Sequence, residues 1–356
     1  MHLTQLFDLS LIGRAHATGL VWEDRSLTFG EIEARAARMA NELSARGLSK
    51  GDRLCVHLAN CVEFIDLFLA CARLGVILVP MNVLYRAREL RHIVYDAEPV
   101  AVITARGSDA EYPEGTTVWM IDDLVSRAAS RDISRTPVAI DGDDPAVIIY
   151  TSGTTGAAKG AVLSHNNLAS NGLTLTGVWR ITDRDRYLGA LPLFHVHGLG
   201  NGLHCWLISG CTMRLLERFE QRTAAETLMT FKPTVFFGVP TMYVRLLDPA
   251  LVSDEQARAI GASARLFVSG SAPLPAHTHA AFHARYGHTI LERYGMSEAL
   301  MIMSNPHDGE RRAGSVGPPL PGVSARIVAE DGEILGDDMV GEIQIKSPHL
   351  IAQYWR

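Results

Sequence analysis

Across roughly the first 110 residues, short apolar runs alternate with amphipathic helical segments, a pattern that demands a parallel sheet covered by helices. LTFGEIEARAARMANELSARGL (27–48) reads as a helix, with Thr28 as its N-cap and Glu31 three residues on as the capping-box partner. Gly47 suits its C-terminal end. DRLCVHL (52–58) is a strand, VEFIDLFLACARLGV (62–76) a second helix and ILVPMN (77–82) a second strand. YRARELRHIVYDAEP (85–99) and VAVIT (100–104) repeat the unit. A polar stretch, AASRDISRTPVAIDGDD (128–144), breaks the periodicity and reads as a surface connection.

A second alternation follows the apolar run PAVIIYTSG. It predicts a helix over 165–176, a strand over 186–190, a helix over 198–209 and a strand over 212–216. TVFFGVP and ARLFVSGSA are further apolar runs that stop in small-residue loops. In ARIVAEDGEIL (325–335), Asp331-Gly332 between alternating segments is a hairpin signature, and GEIQIKS follows as another strand. The tail from 320 therefore reads as antiparallel. The expected fold class is α/β. It has a first βαβ-type subdomain over 1–170, a second over 171–319, and the start of a small β-barrel over 320–356.

Composition removes several classes of function. The 356 residues are 47% hydrophobic and 20% charged, which excludes a disordered chain. A net charge of −6 and a pI near 6.2 give no global reason to bind nucleic acid. Cys55, Cys61, Cys71, Cys205 and Cys211 are odd in number and form no CxxC pair. They read as small buried hydrophobes in a reducing compartment. The N-terminus lacks a signal peptide's basic start, and no uninterrupted apolar stretch reaches ~18 residues. The expectation is a cytoplasmic chain with no membrane partner, folding without a metal.

The most informative stretch is Tyr150-Thr-Ser-Gly-Thr-Thr-Gly-Ala-Ala-Lys-Gly160, directly after an apolar strand. Glycines turn backbone N–H groups toward an anion, hydroxyls add donors, and Lys159 adds charge. A polyphosphate is the matching guest. Gly160 follows Lys159 where a Walker A loop needs Ser or Thr, so a P-loop ATPase is disfavoured.

With this loop, the chain resembles the adenylate-forming acyl-CoA synthetase family (AMP-dependent synthetases and ligases). YTSGTTGAAKGAVLSH (150–165) is similar to that family's phosphate-binding signature. LPLFHVHGL (191–199) resembles its active-site histidine segment, VSGSAPL (268–274) its nucleotide-base loop and ERYGMSE (292–298) its Tyr-Gly-x-Thr-Glu motif. GEIQIKSP (341–348) resembles the strand that follows. The resemblance spans essentially the whole chain.

It implies an enzyme that uses ATP and Mg²⁺ to convert a carboxylic acid to an acyl-adenylate, then passes the acyl group to coenzyme A. Thr151, Ser152, Gly153, Thr154, Thr155, Gly156 and Lys159 are then assigned to the phosphates. Gly270, Ser271, Ala272 and Tyr294 are assigned to adenine, within an ATP/AMP-binding set that also takes in Glu292, Arg293, Gly295 and Met296. Ser297 stands where the family has threonine and keeps the hydroxyl that meets the α-phosphate. Glu298 is the implied magnesium ligand, since a hard cation takes carboxylate oxygen. His195, in preference to His197, is the active-site histidine beside the substrate carboxylate. Lys159, His195, Ser297 and Glu298 make up the catalytic set.

Within the family, ERYGM, SNP and GERRAGSVG resemble the malonyl-CoA synthetase branch. Malonate's second carboxylate needs a cation, and Arg293 is the candidate because a guanidinium grips a carboxylate in a fork. His195, Gly238, Arg293 and Met296 form the implied acyl site, with VFFGVPTMY (235–243) as a wall. Arg311 and Arg312 read as exposed loop residues. Other readings stay open: a medium- or long-chain acyl-CoA synthetase fragment, a nucleotide-binding module without turnover, or an adenylation domain serving a carrier protein. The resemblance also implies a further ribose-binding aspartate, a hinge and a small mobile domain beyond Tyr354-Trp355-Arg356. The expectation is therefore a truncated chain or a separately encoded large domain.

Overall fold

A computed structural model describes residues 2–108, 110–151 and 157–356. The phosphate-loop candidates Ser152, Gly153, Thr154, Thr155 and Gly156 lie outside the described residues. In chain order the strands are β1 (Thr18–Trp22), β2 (Arg25–Thr28), β3 (Arg53–His57), β4 (Ile77–Pro80), β5 (Ala101–Thr104), β6 (Val118–Met120), β7 (Pro145–Thr151) and β8 (Lys159–Ser164). They continue with β9 (Arg186–Gly189), β10 (Thr212–Leu215), β11 (Val235–Gly238), β12 (Leu266–Ser269), β13 (Leu291–Met296), β14 (Leu300–Ser304), β15 (Ser324–Val328) and β16 (Glu342–Lys346).

One sheet has six strands in the order β6-β5-β3-β4-β7-β8, and the other has eight in the order β14-β13-β12-β11-β9-β10-β1-β2. Their interior pairings are parallel; β8, β14 and β2 add antiparallel edges. Burial of all four residues in β4, β5, β11 and β12 follows from helices covering both faces. Parallel strands of one sheet end on the same side, where open α/β sheets bind ligands. β11 and β12 run directly into candidate residues at their C-terminal ends.

Local signals form as the pattern requires. The helix Phe29–Ala45 is capped by Thr28 and Glu31 in a reciprocal capping box. Helices Val62–Leu74 and Ala87–Ala97 follow, the first closed by Gly75 in the left-handed region. The polar connection is an irregular surface segment, held down by Arg131 on Glu42 and by Arg135 on Asp8 and Glu33. All five cysteines are free, and four are fully buried.

Three expectations change. The segment read as one helix over 198–209 begins as a π-helix, His197–Leu203, and continues as an α-helix, His204–Ser209. Its Gly-Leu-Gly-Asn-Gly run is a weak α-former, and π-turns concentrate at functional sites. The Asp331-Gly332 turn does form, with Ala329 N–H donating to Glu333 O at 2.9 Å. However, the main partner of β15 is β16, and the near arm supplies only a bridge between Val328 and Ile334. The expected start of a β-barrel is thus an open, two-stranded antiparallel ribbon. Two strands of five residues cannot close on themselves. The third concerns Arg311, which is no free loop residue: it donates to the carbonyls of Pro306, Thr289 and His307, while Arg312 stays exposed.

His204 lies between Phe7 and Phe68, with ring centroids 5.6 and 5.5 Å away. It is wholly buried, and neither ring nitrogen has a partner among the described residues. Burial pushes its pKa down to about 3. The unfolded chain therefore takes up this proton near pH 6.5 and the folded chain only far below it. Stability falls as pH drops from 6.5 toward 3, by up to about 1.4 kcal/mol per pH unit for this one group. His204→Leu is expected to flatten that limb of a urea-midpoint-against-pH curve. An unchanged slope would exclude His204 as a source of acid sensitivity.

Candidate functional site

The hairpin β13–β14 carries the densest set of candidate residues. Gly295 is required there by close approach: a Cβ at this position would sit 2.2 Å from the Leu300 carbonyl oxygen. The hairpin bulges between Tyr294 and Gly295, and Leu300 adopts φ 54°. This turn presents Tyr294 and Met296 to solvent, with Ser297 and Glu298 half-buried beside them. An exposed Tyr294 is free to stack on a planar ring.

Glu292 points inward. It is buried, and its carboxylate accepts from the backbone N–H of Leu274 at 3.4 Å and of Gly314 at 3.1 Å. It joins the loop after β12 to the loop after β14, leaving its neighbours to face a ligand.

Arg293 is the electrostatic anomaly. It is 3% exposed, and no carboxylate pairs with it among the described residues. Nε and Nη2 are buried without partners. Burial lowers its pKa to about 9, with Tyr243 acting the other way. A Cβ built on Gly270 would lie 2.5 Å from its Cζ, so the guanidinium rests against that bare backbone. Unpaired buried charge is costly, and proteins keep it where an anion arrives.

Two histidines face this cation. His195 is exposed, and His197 is buried with its Nε2 unpartnered. His197 Nδ1 pairs with Ser271 Oγ at 2.6 Å, and Ser271 sits in the left-handed region at φ 70°. Both imidazoles are held below their ordinary pKa, first by withdrawal from water and then by the charge of Arg293. Both are therefore neutral near pH 7. The backbone N–H of His197 donates to His195 Nδ1 at 3.3 Å, which ties the exposed ring to the chain segment that carries the anchored one. The structure brings His197 into the same cluster as the preferred His195. The signal available was His-Val-His itself, since neighbouring apolar residues gave no means of ranking the two.

Gly238 ends β11 in register with Ser269, and Ser269 pairs in register with Glu292. Gly238, Gly270, Ser271, Ala272 and Arg293 are therefore close across three adjacent strands. Thr151 and Lys159 are register partners across β7 and β8, and Lys159 is exposed. Thr151 Oγ1 lies 3.4 Å from Glu298 Oε1, which brings the loop flank to the hairpin. Tyr354, which was not among the candidates read from sequence, also donates to Glu298 Oε1 at 3.1 Å.

Among the described residues, no group of three His, Cys, Asp or Glu side chains could hold a metal ion. Oε2 of Glu298 has no donor among them. A single carboxylate with one free oxygen fits Mg²⁺ held mainly by nucleotide phosphates and water. It does not fit an all-protein cage. Also among these residues, no helix is long and apolar enough to cross a membrane.

Comparison with known proteins places this geometry. The chain is 35% identical over 375 residues to a malonate–CoA ligase of Arabidopsis thaliana, covering 94% of this chain and 61% of that one. It superimposes on an ATP-bound MatB from Rhodopseudomonas palustris with a TM-score of 0.90 and 38% identity, covering 100% of this chain and 72% of that one. A malonyl-CoA ligase complex with methylmalonyl-CoA and AMP gives a TM-score of 0.81 and 38% identity, at 96% and 70% coverage. The chain spans about three fifths of the length of the first curated relatives it matches. The model of the AMP-binding enzyme family matches residues 12–355, and with these two sheets and this clustered site the chain belongs to that family.

Proposed function

We propose that the chain carries the ATP- and carboxylate-binding part of an AMP-forming acyl-CoA ligase whose acid is malonate. The observation that carries this reading is the buried guanidinium of Arg293, unpaired among the described residues, beside two neutral histidines. An acid with one carboxylate would leave that charge uncompensated. A dicarboxylate offers one group for reaction and a second for Arg293. The similarity to ligases named for malonate supports the same choice.

Attack of an anion on a triphosphate is the central difficulty. Thr151, the 152–156 loop and Lys159 would hold the β- and γ-phosphates, Ser297 the α-phosphate, and Tyr294 with Gly270, Ser271 and Ala272 the adenine. Arg293, Gly238 and Met296 would seat the acid, so that its free carboxylate oxygen reaches the α-phosphorus. As that P–O bond forms, the bond to the bridging oxygen breaks and its electron pair leaves with pyrophosphate. His195, neutral at pH 7, would donate a hydrogen bond to the oxygen gaining charge without repelling Arg293. Mg²⁺, when bound, supplies charge neutralisation at the phosphates, and Glu298 would be its protein ligand. Together with a small mobile domain of the kind the family resemblance implies, the thiol of coenzyme A would then displace AMP from the acyl-adenylate. A cytoplasmic, reducing setting belongs to the same proposal and is supported by the five free thiols.

The test is acid-dependent ATP–pyrophosphate exchange with malonate, methylmalonate, acetate and octanoate. Malonate is expected to exceed acetate by at least about tenfold, the scale of one charged hydrogen bond. Preference for octanoate would overturn the acid while keeping the family. ATP binding without exchange for any acid, also with a relative's small C-terminal domain supplied, would select a binding module.

A further inference from the structure

The segment 349–356 folds back along β8, and most of it is held by hydrogen bonds. His349 is wholly buried and pairs with Asn171 at 3.0 Å. Asn167 Nδ2 donates to the carbonyls of Pro348 and Leu350 at 2.9 and 3.1 Å. Ile351 N–H donates to Glu298 O at 2.8 Å. Tyr354 forms an antiparallel bridge with Ala161, and Trp355 N–H donates to Gly160 O at 2.7 Å. The Trp355 indole donates to Asp96 O at 3.0 Å, and Arg356 pairs with Glu98. Asp96 in turn accepts from Tyr150, the residue before Thr151.

This anchoring fixes where the Tyr354 side chain must be. Its hydroxyl donates to Glu298 Oε1, the oxygen that Thr151 Oγ1 also approaches. Its ring lies 5.4 Å from Lys159 Nζ, within cation–π range. One side chain therefore touches both the implied magnesium ligand and the loop lysine. With Oε1 occupied, Oε2 is the oxygen left to a cation. A carboxylate with free χ angles would divide its time among several rotamers, few of them suited to an incoming ion.

We propose that Tyr354 is a positioning residue for nucleotide binding: its hydroxyl holds Glu298 in the rotamer that presents Oε2 to the magnesium of Mg·ATP, while its ring steadies Lys159. The inference rests on the ATP-binding reading above. Tyr354→Phe keeps the ring, the bridge to Ala161 and the contact with Lys159, and removes only the hydroxyl.

ATP binding to this chain is measured by calorimetry across a magnesium titration, in wild type, Tyr354→Phe, Glu298→Gln and the double variant. Tyr354→Phe is expected to raise the magnesium concentration for half-maximal binding by about tenfold, with magnesium-free ATP affinity kept within about twofold, as for one lost hydrogen bond to a charged group. In the Glu298→Gln background the same change is expected to add no further shift. An unchanged magnesium midpoint in Tyr354→Phe overturns the proposal. So does an equal shift in both backgrounds, which would mean that the hydroxyl acts through packing. A wild-type chain that binds no ATP with or without magnesium overturns the functional reading itself, and this inference with it.

Discussion

Replacing Arg293 with methionine is expected to lower malonate-dependent ATP–pyrophosphate exchange by about 10²–10³-fold, the cost of removing one partner from a buried charge pair. The same substitution is expected to make the free protein more stable, on the order of 1–4 kcal/mol. The two effects have one cause. Nε and Nη2 are buried with nothing to bond to among the described residues, and desolvation has already drawn the pKa down. Methionine fills similar space against Gly270 without a charge. Acetate-dependent exchange should change little, because acetate has no second carboxylate. A thermal midpoint that falls together with activity would show Arg293 to be part of the scaffold, and the substrate argument would lose its basis.

Asp185→Ala is expected to cost about 3–5 kcal/mol, a large part of the total stability of an ordinary domain. Asp185 is buried just before β9. It accepts from Arg265 Nε at 2.8 Å and Nη2 at 2.7 Å, from Thr234 Oγ1 at 2.6 Å and from Thr182 N–H at 2.8 Å. One carboxylate thereby ties the starts of β9, β11 and β12 together. Burial alone would raise its pKa, but the hydrogen bonds from Arg265, Thr234 and Thr182 outweigh that and hold it below the usual value. A carboxylate lowered in this way stabilises the fold above its unfolded pKa, near 3.8. That contribution is lost as pH falls through the lower folded value. The Asp185→Ala loss should therefore be full at pH 7 and shrink below about pH 4. Urea unfolding at both pH values checks it, and an equal loss at each would refute the electrostatic account.

The two predictions separate function from scaffold. Arg293 is buried and unpaired among the described residues, and its removal should cost activity alone. Asp185 is buried and fully paired, and its removal should cost the fold. Sequence shows both only as charged residues beside apolar runs, so the distinction lies wholly in what surrounds them.

Much of the fold was legible because its signals are local. The capping box of Thr28 and Glu31 is complete within four residues. The apolar strands 77–80 and 101–104 declare their burial by composition, since a strand covered on both faces has no polar side to show. The stretch around Lys159 carries the family resemblance through residue types that need no partner elsewhere to be recognised.

What escaped is what depends on distance along the chain. β1 and β2 stand near the start of the sequence, yet they close the edge of the eight-stranded sheet next to β10. Their period-two pattern cannot name a neighbour about 190 residues away, because register with a remote strand is settled by packing. The paired histidines are a middle case. His195 and His197 were visible together, and only the bond from His197 to Ser271 assigns one to anchoring and leaves the other exposed.

By itself, then, the sequence determined the α/β class, the layered sheets and the family resemblance, since each rests on periodicity or on contiguous residue types. Only the tertiary structure decided that Arg293 has no counter-ion among the described residues, that Glu292 faces inward, that 320–356 forms an open ribbon with a returning edge, and that Tyr354 reaches Glu298. Those facts depend on which groups meet across strands far apart in the chain. Desolvation and hydrogen bonding act on neighbours in space, and a linear pattern carries no record of them.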